Sequence, residues 1–478
     1  MPMYKTREIA PKEGFHGTEV LKMLSLVDRS DSRLEEYRNP IQKKRDDIKY
    51  VKPNELLLGT LDEDFFSPAV LPYNGKSFGM LVVAGKGDGK TQWVKFEVFS
   101  QIHERFGYNL LLVDPKNDYS NLHESIKQQE LVDRLYRFNL RARGYNAVYY
   151  KPAYFNMKER KGQEYIVTLR DFDNLDYGKR SESIKEFLGV DEKTPAGRQL
   201  AGVLNKGVPK TIKAFMEKIK NYRKDMVKEK EEAAKASGVK SRGSGIMSFT
   251  LDTIISDKVK QGLLGDDGQK IIMEVDDKGK TTASKTVYAA HFPEDLTKFG
   301  IVVLQADLTT EKSFTSSCYL KVAVATVWED RRKFVDTKRR EGVMTNPTFL
   351  VMDEADTLLP RERTRYSPSR EQVNQLLSKG RQYGWGVVAI TQQPEMISQE
   401  FIKHCDYIVT TRLRSQKLIE ILKEKYALED YEIDELKKLE WDPNKPVKQW
   451  CCFTGNPSRK YIPFYPLPPQ IAIKQEGF

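Results

Sequence analysis

An α/β fold with a mostly parallel central sheet is predicted by three features of the chain. The apolar run Met80-Leu81-Val82-Val83 leads into Ala84-Gly85-Lys86-Gly87-Asp88-Gly89-Lys90-Thr91. A helix-like stretch from Gln92 to Phe106 comes next, and then a second apolar run from Leu110 to Val113. Further strand-sized runs return at Gly300 to Leu304, Phe349 to Met352 and Gly386 to Ile390. Continuous apolar runs rich in β-branched residues suit strands covered on both faces, and their alternation with helical segments marks parallel crossovers.

The segment Ala84 to Thr91 is a phosphate-binding loop in its proper setting, between a strand and a helix. Its three glycines allow a tight turn, so that successive N–H groups and the next helix's N-terminus aim at phosphate oxygens. Lys90 is placed to reach the β and γ phosphates and the Thr91 hydroxyl to ligate Mg²⁺. The backbone through Gly85, Gly87, Asp88, Gly89, Lys90, Thr91 and Gln92 is therefore assigned to a nucleoside triphosphate. ATP is expected rather than GTP, because no Asn-Lys-x-Asp base-reading motif follows the loop.

The next element on the ledger of chemistry is the end of the run Phe349 to Met352, where Asp353 and Glu354 stand side by side, followed by Ala355 and Asp356. In an open α/β sheet the carboxyl edge of the strands faces the ligand. Asp353 can hold Mg²⁺ there through its water shell, and Glu354 can polarise the water that attacks the γ phosphate.

A chain of 478 residues with 39% hydrophobic content can build two or three cores. The formal charge of +11 favours an acidic partner, nucleic acid or an anionic surface. Four cysteines, Cys318, Cys405, Cys451 and Cys452, show no CxxC spacing, which argues against zinc or a disulfide framework and for a reducing compartment. No apolar run approaches the ~20 residues that span a bilayer, and Met1 to Gly14 lack a signal-peptide core. A soluble, cytoplasmic protein without an intrinsic membrane segment is expected.

Three segments complete the organisation. Residues 1–57 read as a charged extension with a helix around Val20 to Val27. Residues 58–150 and 291–478 read as the ATPase core with a C-terminal tail, and 151–290 as a partly helical insertion. Within it, Ile212, Phe215, Met216, Ile219, Tyr222 and Met226 have helical spacing in a lysine- and glutamate-rich background, which predicts one long amphipathic helix. The stretch Ser237 to Gly245 then reads as a flexible basic linker.

The string Asp353-Glu354-Ala355-Asp356 invites comparison with DEAD-box helicases, but the chain departs from that pattern. Lys90 and Asp353 are too far apart, the later strand ends in Thr391-Gln392-Gln393-Pro394 rather than Ser-Ala-Thr, and only about 120 residues follow Asp356. What the chain resembles is the FtsK and HerA superfamily of ring-shaped DNA pumps, which includes conjugation ATPases and viral genome-packaging ATPases. Gly380-Arg381-Gln382-Tyr383-Gly384-Trp385-Gly386, leading through a strand into Thr391-Gln392-Gln393-Pro394, is similar to the family's Gly-Arg-x-x-Gly, strand, Thr-Gln-x-Pro signature. Asp114-Pro115-Lys116-Asn117-Asp118-Tyr119 is similar to its Asp-Pro-x-Gly-Glu-Tyr, departing at Asn117 and Asp118. Val302 to Leu308 is similar to the strand before its Walker B segment.

The resemblance implies a RecA-like (ASCE) P-loop NTPase core with a largely helical insertion and a short N-terminal extension. It implies that Gln392 senses the γ phosphate and that Arg381 reaches a neighbouring subunit's nucleotide, so that Lys90, Glu354, Gln392 and Arg381 form the catalytic set. Arg412 and Arg414 are rival candidates for the finger. Expected cofactors are ATP and Mg²⁺. Expected partners are double-stranded DNA, further copies of the chain in a hexamer, and a nuclease, portal or secretion complex. The N-terminal barrel of the cellular members does not fit before Gly59, which points to a streamlined viral or plasmid member. A secretion or conjugation motor that engages a protein or membrane complex is the alternative, and a nucleotide-switch module is disfavoured by Glu354, Gln392 and Arg381 occurring together.

Overall fold

The computed structural model describes residues 51–478 apart from 63–66, 74, 153–161, 174–183, 186, 192, 206, 238–249, 261–263, 276–280, 306–312, 341–346, 363–368, 412, 414, 439–447 and 473–478. The expected helix near Val20, most of the basic linker, Arg412, Arg414 and Ala306 to Leu308 lie outside the described residues. All described residues belong to one compact unit, Tyr50–Phe478.

Fourteen strands are described: β1 Glu55–Thr60, β2 Pro68–Pro72, β3 Gly79–Val83, β4 Asn109–Asp114, β5 Val148–Pro152, β6 Gln163–Ile166, β7 Gln269–Val275, β8 Thr281–Ala289, β9 Ile301–Gln305, β10 Thr348–Met352, β11 Trp385–Thr391, β12 Tyr407–Thr410, β13 Trp450–Phe453 and β14 Tyr461–Phe464. Twelve form one sheet in the order β14-β13-β12-β3-β11-β10-β4-β9-β5-β6-β8-β7. Pairing is parallel from β12 across to β8 and antiparallel at both margins, where β13 and β14 flank one side and β7 the other. The small β1–β2 sheet is tied to β14's end by Thr60 N–H donating to Tyr465 O at 2.9 Å and Tyr465 N–H donating to Thr60 O at 2.7 Å. The fold is an α/β layer with a mostly parallel sheet.

The five strands expected from apolar runs are β3, β4, β9, β10 and β11, and they lie side by side at the centre. Their side chains alternate between two separate cores, which is why they read as continuous rather than alternating. Leu81, Leu111, Val302, Leu350 and Val387 point to one face, and Met80, Leu110, Val303, Val351 and Val388 to the other. Each such side chain taken fully out of water contributes about 1.5–3 kcal/mol. Gly386 lies opposite Phe349 in the β10–β11 register, and a Cβ there would meet the Phe349 ring at 2.2 Å, so glycine is required by close approach.

The helix after the phosphate loop covers the second face with Trp93, Val94, Val98, Phe99 and Ile102. It begins as α1, Lys90–Lys95, and continues as a π-helix, Phe96–Arg105, that ends with Phe106 N–H donating to Gln101 O at 3.1 Å. The expected helix is present, but its wider register was not legible, since nothing in the apolar spacing distinguishes the two windings.

The interval 151–290 is not helical alone. It supplies β6, β7 and β8 to the main sheet, and β5 straddles its start. Its long helix, α2 Ile212–Ser237, buries Phe215 and Ile219, half-buries Ile212, Met216 and Tyr222, and leaves Met226 exposed. The helix therefore packs by its first half only.

Candidate nucleotide site

Four parallel strands end at the same edge of the sheet, and each delivers one part of the site. The phosphate loop leaves β3, the loop Asp114 to Tyr119 leaves β4, Asp353 and Glu354 leave β10, and Gln392 leaves β11. Register brings them together: β3, β11, β10 and β4 are consecutive neighbours. Ala84 N–H donates to Thr391 O at 3.3 Å, and Asp353 N–H donates to Val113 O at 3.4 Å, which stitches the loop bases to one another.

Gly87 and Gly89 take φ of 79° and 81°. That left-handed conformation favours glycine, and it explains why the turn needs glycine at these two positions. Gly89 caps α1, and Trp93 N–H donates back to Gly89 O at 3.0 Å. Lys90 is buried, with Nζ 3.4 Å from Asp353 Oδ1, so the two residues assigned to the nucleotide and the metal face each other. Burial pushes the Asp353 carboxyl above its ordinary range, and the Lys90 ammonium pulls it back down. Asp353 Oδ1 also accepts the Glu354 N–H at 2.9 Å. Thr91 hydroxyl and Asp353 carboxylate are hard oxygen donors, the class Mg²⁺ takes; Thr91 follows Lys90 in the chain, and Asp353 faces Lys90 across the sheet edge.

Glu354 is half-buried, pairs with Lys116 from the β4 loop, and adopts φ 53° and ψ 44°. A glutamate in the left-handed region carries backbone strain of about 1–3 kcal/mol, and such strain concentrates at working sites. The β4 loop is shaped by buried Asp114, whose Oδ1 accepts Asp118 N–H at 2.9 Å and whose Oδ2 accepts Tyr119 N–H at 3.1 Å. Asn117 has φ 61°. It stands where the resembled motif has glycine and keeps the conformation that glycine would supply, because asparagine tolerates it best among side-chain-bearing residues. Thr391 is buried, donates to Asp356 Oδ1 at 2.6 Å and accepts Gln393 N–H at 2.9 Å. Those bonds turn the chain so that Gln392 is left exposed at the edge.

Arg381 is not brought to this edge. It precedes β11 and pairs with Asp406 while donating to His404 O at 3.2 Å. Asp406 Oδ2 also accepts the N–H of Gly79, the first residue of β3, at 2.8 Å. This is the amino edge of the sheet, a full strand length, about 20 Å, from the phosphate loop.

Two residues at the site carry no sequence signal. Thr411 donates to Asp88 Oδ2 at 2.9 Å, and Lys448 Nζ donates to Gly87 O at 2.9 Å. Lys448 lies far downstream of the phosphate loop in sequence, with no motif around it, so no spacing rule could connect the two.

The model of the family described as zonular occludens toxin (Zot) matches residues 304–446, from the end of β9 through β10, β11 and β12. The chain is 25% identical over 87 residues to a protein of Methanocaldococcus jannaschii described as a probable helicase, a match that covers 18% of this chain and 16% of that one. Among solved structures it is similar to VirB4 of Thermoanaerobacter pseudethanolicus, at 15% identity and TM-score 0.48, over 87% of this chain and 97% of that one. It is also similar to the bacterial conjugative coupling protein TrwBdeltaN70, at 13% identity and TM-score 0.44, over 90% and 92%. A genome packaging NTPase of Sulfolobus turreted icosahedral virus 2, in complex with AMPPCP, is similar at 15% identity and TM-score 0.27, over 37% and 72%.

Proposed function

We propose that the protein hydrolyses ATP at the interfaces of a hexameric ring and uses the energy to move double-stranded DNA through a basic channel, working in the cytoplasm. The observation that carries this reading is the split of the catalytic set. Lys90, Asp353, Glu354 and Gln392 share one sheet edge, whereas Arg381 is held at the other, so any phosphate it reaches belongs to a neighbour. In each site Mg²⁺, held by Thr91 and Asp353, would neutralise phosphate charge. Lys90 holds the β and γ phosphates, and Glu354 takes a proton from the water that attacks the γ phosphorus. The bond to the β–γ bridging oxygen breaks and ADP leaves with it. A guanidinium arriving from the next subunit stabilises the transferring group, and such fingers contribute about 10³–10⁵ in rate. Mixing Arg381→Ala protein with an excess of Lys90→Ala protein is expected to restore hydrolysis, since mixed rings contain intact composite sites. No recovery over either variant alone would remove the finger from Arg381.

DNA as the substrate is supported by charge. The formal +11 is joined by a local feature on α2, where Lys213, Lys220, Lys224 and Lys228 are exposed. At 100° per residue they fall within about 80° of one another, with Glu217 between them. Steady-state hydrolysis is expected to rise several-fold with long linear duplex DNA and to lose that rise with salt. Replacing the four lysines by glutamine is expected to leave DNA-free hydrolysis unchanged and to flatten the slope of log affinity against log salt by about 3 to 4 units. An unchanged slope would remove α2 from the interface. Robust hydrolysis indifferent to DNA would instead favour a secretion or conjugation motor acting on a protein or membrane-complex partner. No helix among the described residues is long and apolar enough to cross a membrane.

A further inference from the structure

The phosphate loop contains a carboxylate, and that is an electrostatic problem for a site built to hold a polyanion. Asp88 is nearly buried, between Gly87 and Gly89 at the loop's turn. Its two oxygens are both engaged. Oδ2 accepts the Gly85 N–H at 3.0 Å and the Thr411 hydroxyl at 2.9 Å, while Oδ1 lies 3.3 Å from Lys448 Nζ. Lys448 is itself only 16% exposed at its side chain, and the same ammonium donates to Gly87 O at 2.9 Å.

Topology explains how a C-terminal lysine comes to lie there. Strand β12 is parallel to β3, so Thr411, just past its end, emerges beside the phosphate loop. Strand β13 runs antiparallel to β12, with Cys451 opposite Thr410, so the residues that enter β13 begin at that same edge. Lys448 is two residues before β13.

We propose that Lys448 is a positioning residue of the nucleotide site: its ammonium neutralises Asp88 and holds that carboxylate turned away from the phosphates, so that the loop can receive ATP. The inference rests on the reading of Gly85 to Thr91 as the nucleotide loop. Without Lys448, a poorly solvated negative charge stands in the loop against the triphosphate, and Gly87 loses a hydrogen bond that fixes the turn. The effect should grow with phosphate charge and shrink with salt. Thr411 acts on the other oxygen as an orienting donor, but it carries no charge and cannot replace the lysine.

The test measures binding of fluorescent ATP and ADP analogues to full-length protein, with melting temperature as a check on folding. Lys448→Met is expected to raise the Kd for ATP tenfold or more, and that for ADP by a smaller factor. Lys448→Arg should stay within about threefold of wild type. Adding Asp88→Asn to Lys448→Met is expected to recover most of the lost ATP affinity, since the amide keeps an acceptor for Gly85 N–H and removes the charge. A Lys448→Met protein that binds ATP like wild type overturns the proposal. So does a loss that Asp88→Asn does not relieve, which would make Lys448 a structural staple of the β13–β14 hairpin. Wild-type protein that binds neither nucleotide would instead defeat the reading of the loop itself.

Discussion

Lys90→Ala protein is expected to bind ATP at least about a hundredfold more weakly than wild type and to show no measurable hydrolysis. Lys90 is the loop's only side-chain cation aimed along the sheet edge towards Asp353, at 3.4 Å. Hydrogen bonds from a charged donor are worth about 1.5–3 kcal/mol each, and two phosphates lose theirs at once. The substitution also leaves Asp353 buried without its counter-charge. Burial already raises the Asp353 pKa above the unfolded value, and Lys90 is the main opposing influence. Removing it raises that pKa further. A carboxyl raised in the folded state opposes folding once pH climbs through its folded pKa, and does nothing below its unfolded pKa. The melting temperature deficit of Lys90→Ala relative to wild type should therefore be larger at pH 8 than near pH 4. Adding Asp353→Asn should reduce the deficit at pH 8. Calorimetry at the two pH values, with nucleotide titrations alongside, checks both parts. Wild-type affinity in Lys90→Ala would remove it from the phosphate site.

Glu354→Gln protein is expected to bind ATP as wild type does and to turn over about 10²–10⁴-fold more slowly. The amide keeps the size and one acceptor of the carboxylate but cannot take a proton from water, and general-base catalysis contributes about that factor. Stability should change by less than about 1 kcal/mol, because the partner Lys116 is 47% exposed and an ion pair so open to solvent contributes little. The strained backbone at Glu354 is unaffected by the swap, so the geometry of the strand end persists. Single-turnover hydrolysis with a binding titration distinguishes this from simple loss of affinity. Turnover within threefold of wild type would transfer the role of base to another group.

The parts of the site that could be read in advance are those carried by short contiguous strings. The glycines at 85, 87 and 89 are legible as a tight turn because they stand between an apolar run and a helical stretch, and two of those glycines do take the left-handed conformation. Asp353 and Glu354 are legible because a buried strand is visible as an apolar run and its last residues fall at the sheet edge. The same logic found β3, β4, β9, β10 and β11, whose both-sided burial writes itself as unbroken hydrophobicity. It missed β6, β7 and β8 inside the expected insertion. Gln163–Ile166 and Thr281–Ala289 are polar in half their positions and gain strand character from pairing with neighbours rather than from composition.

By itself, the amino-acid sequence determined the glycine-rich turn between β3 and α1, the acidic strand end, the five central strands and the amphipathic character of α2. These depend on local spacing and on burial that a single segment reports. Only the tertiary structure decided strand order, the π-register after α1, the opposite placement of Arg381 and the arrival of Thr411 and Lys448 at Asp88. Those depend on which distant segments become neighbours in a sheet, and a sheet's order follows from packing the whole chain.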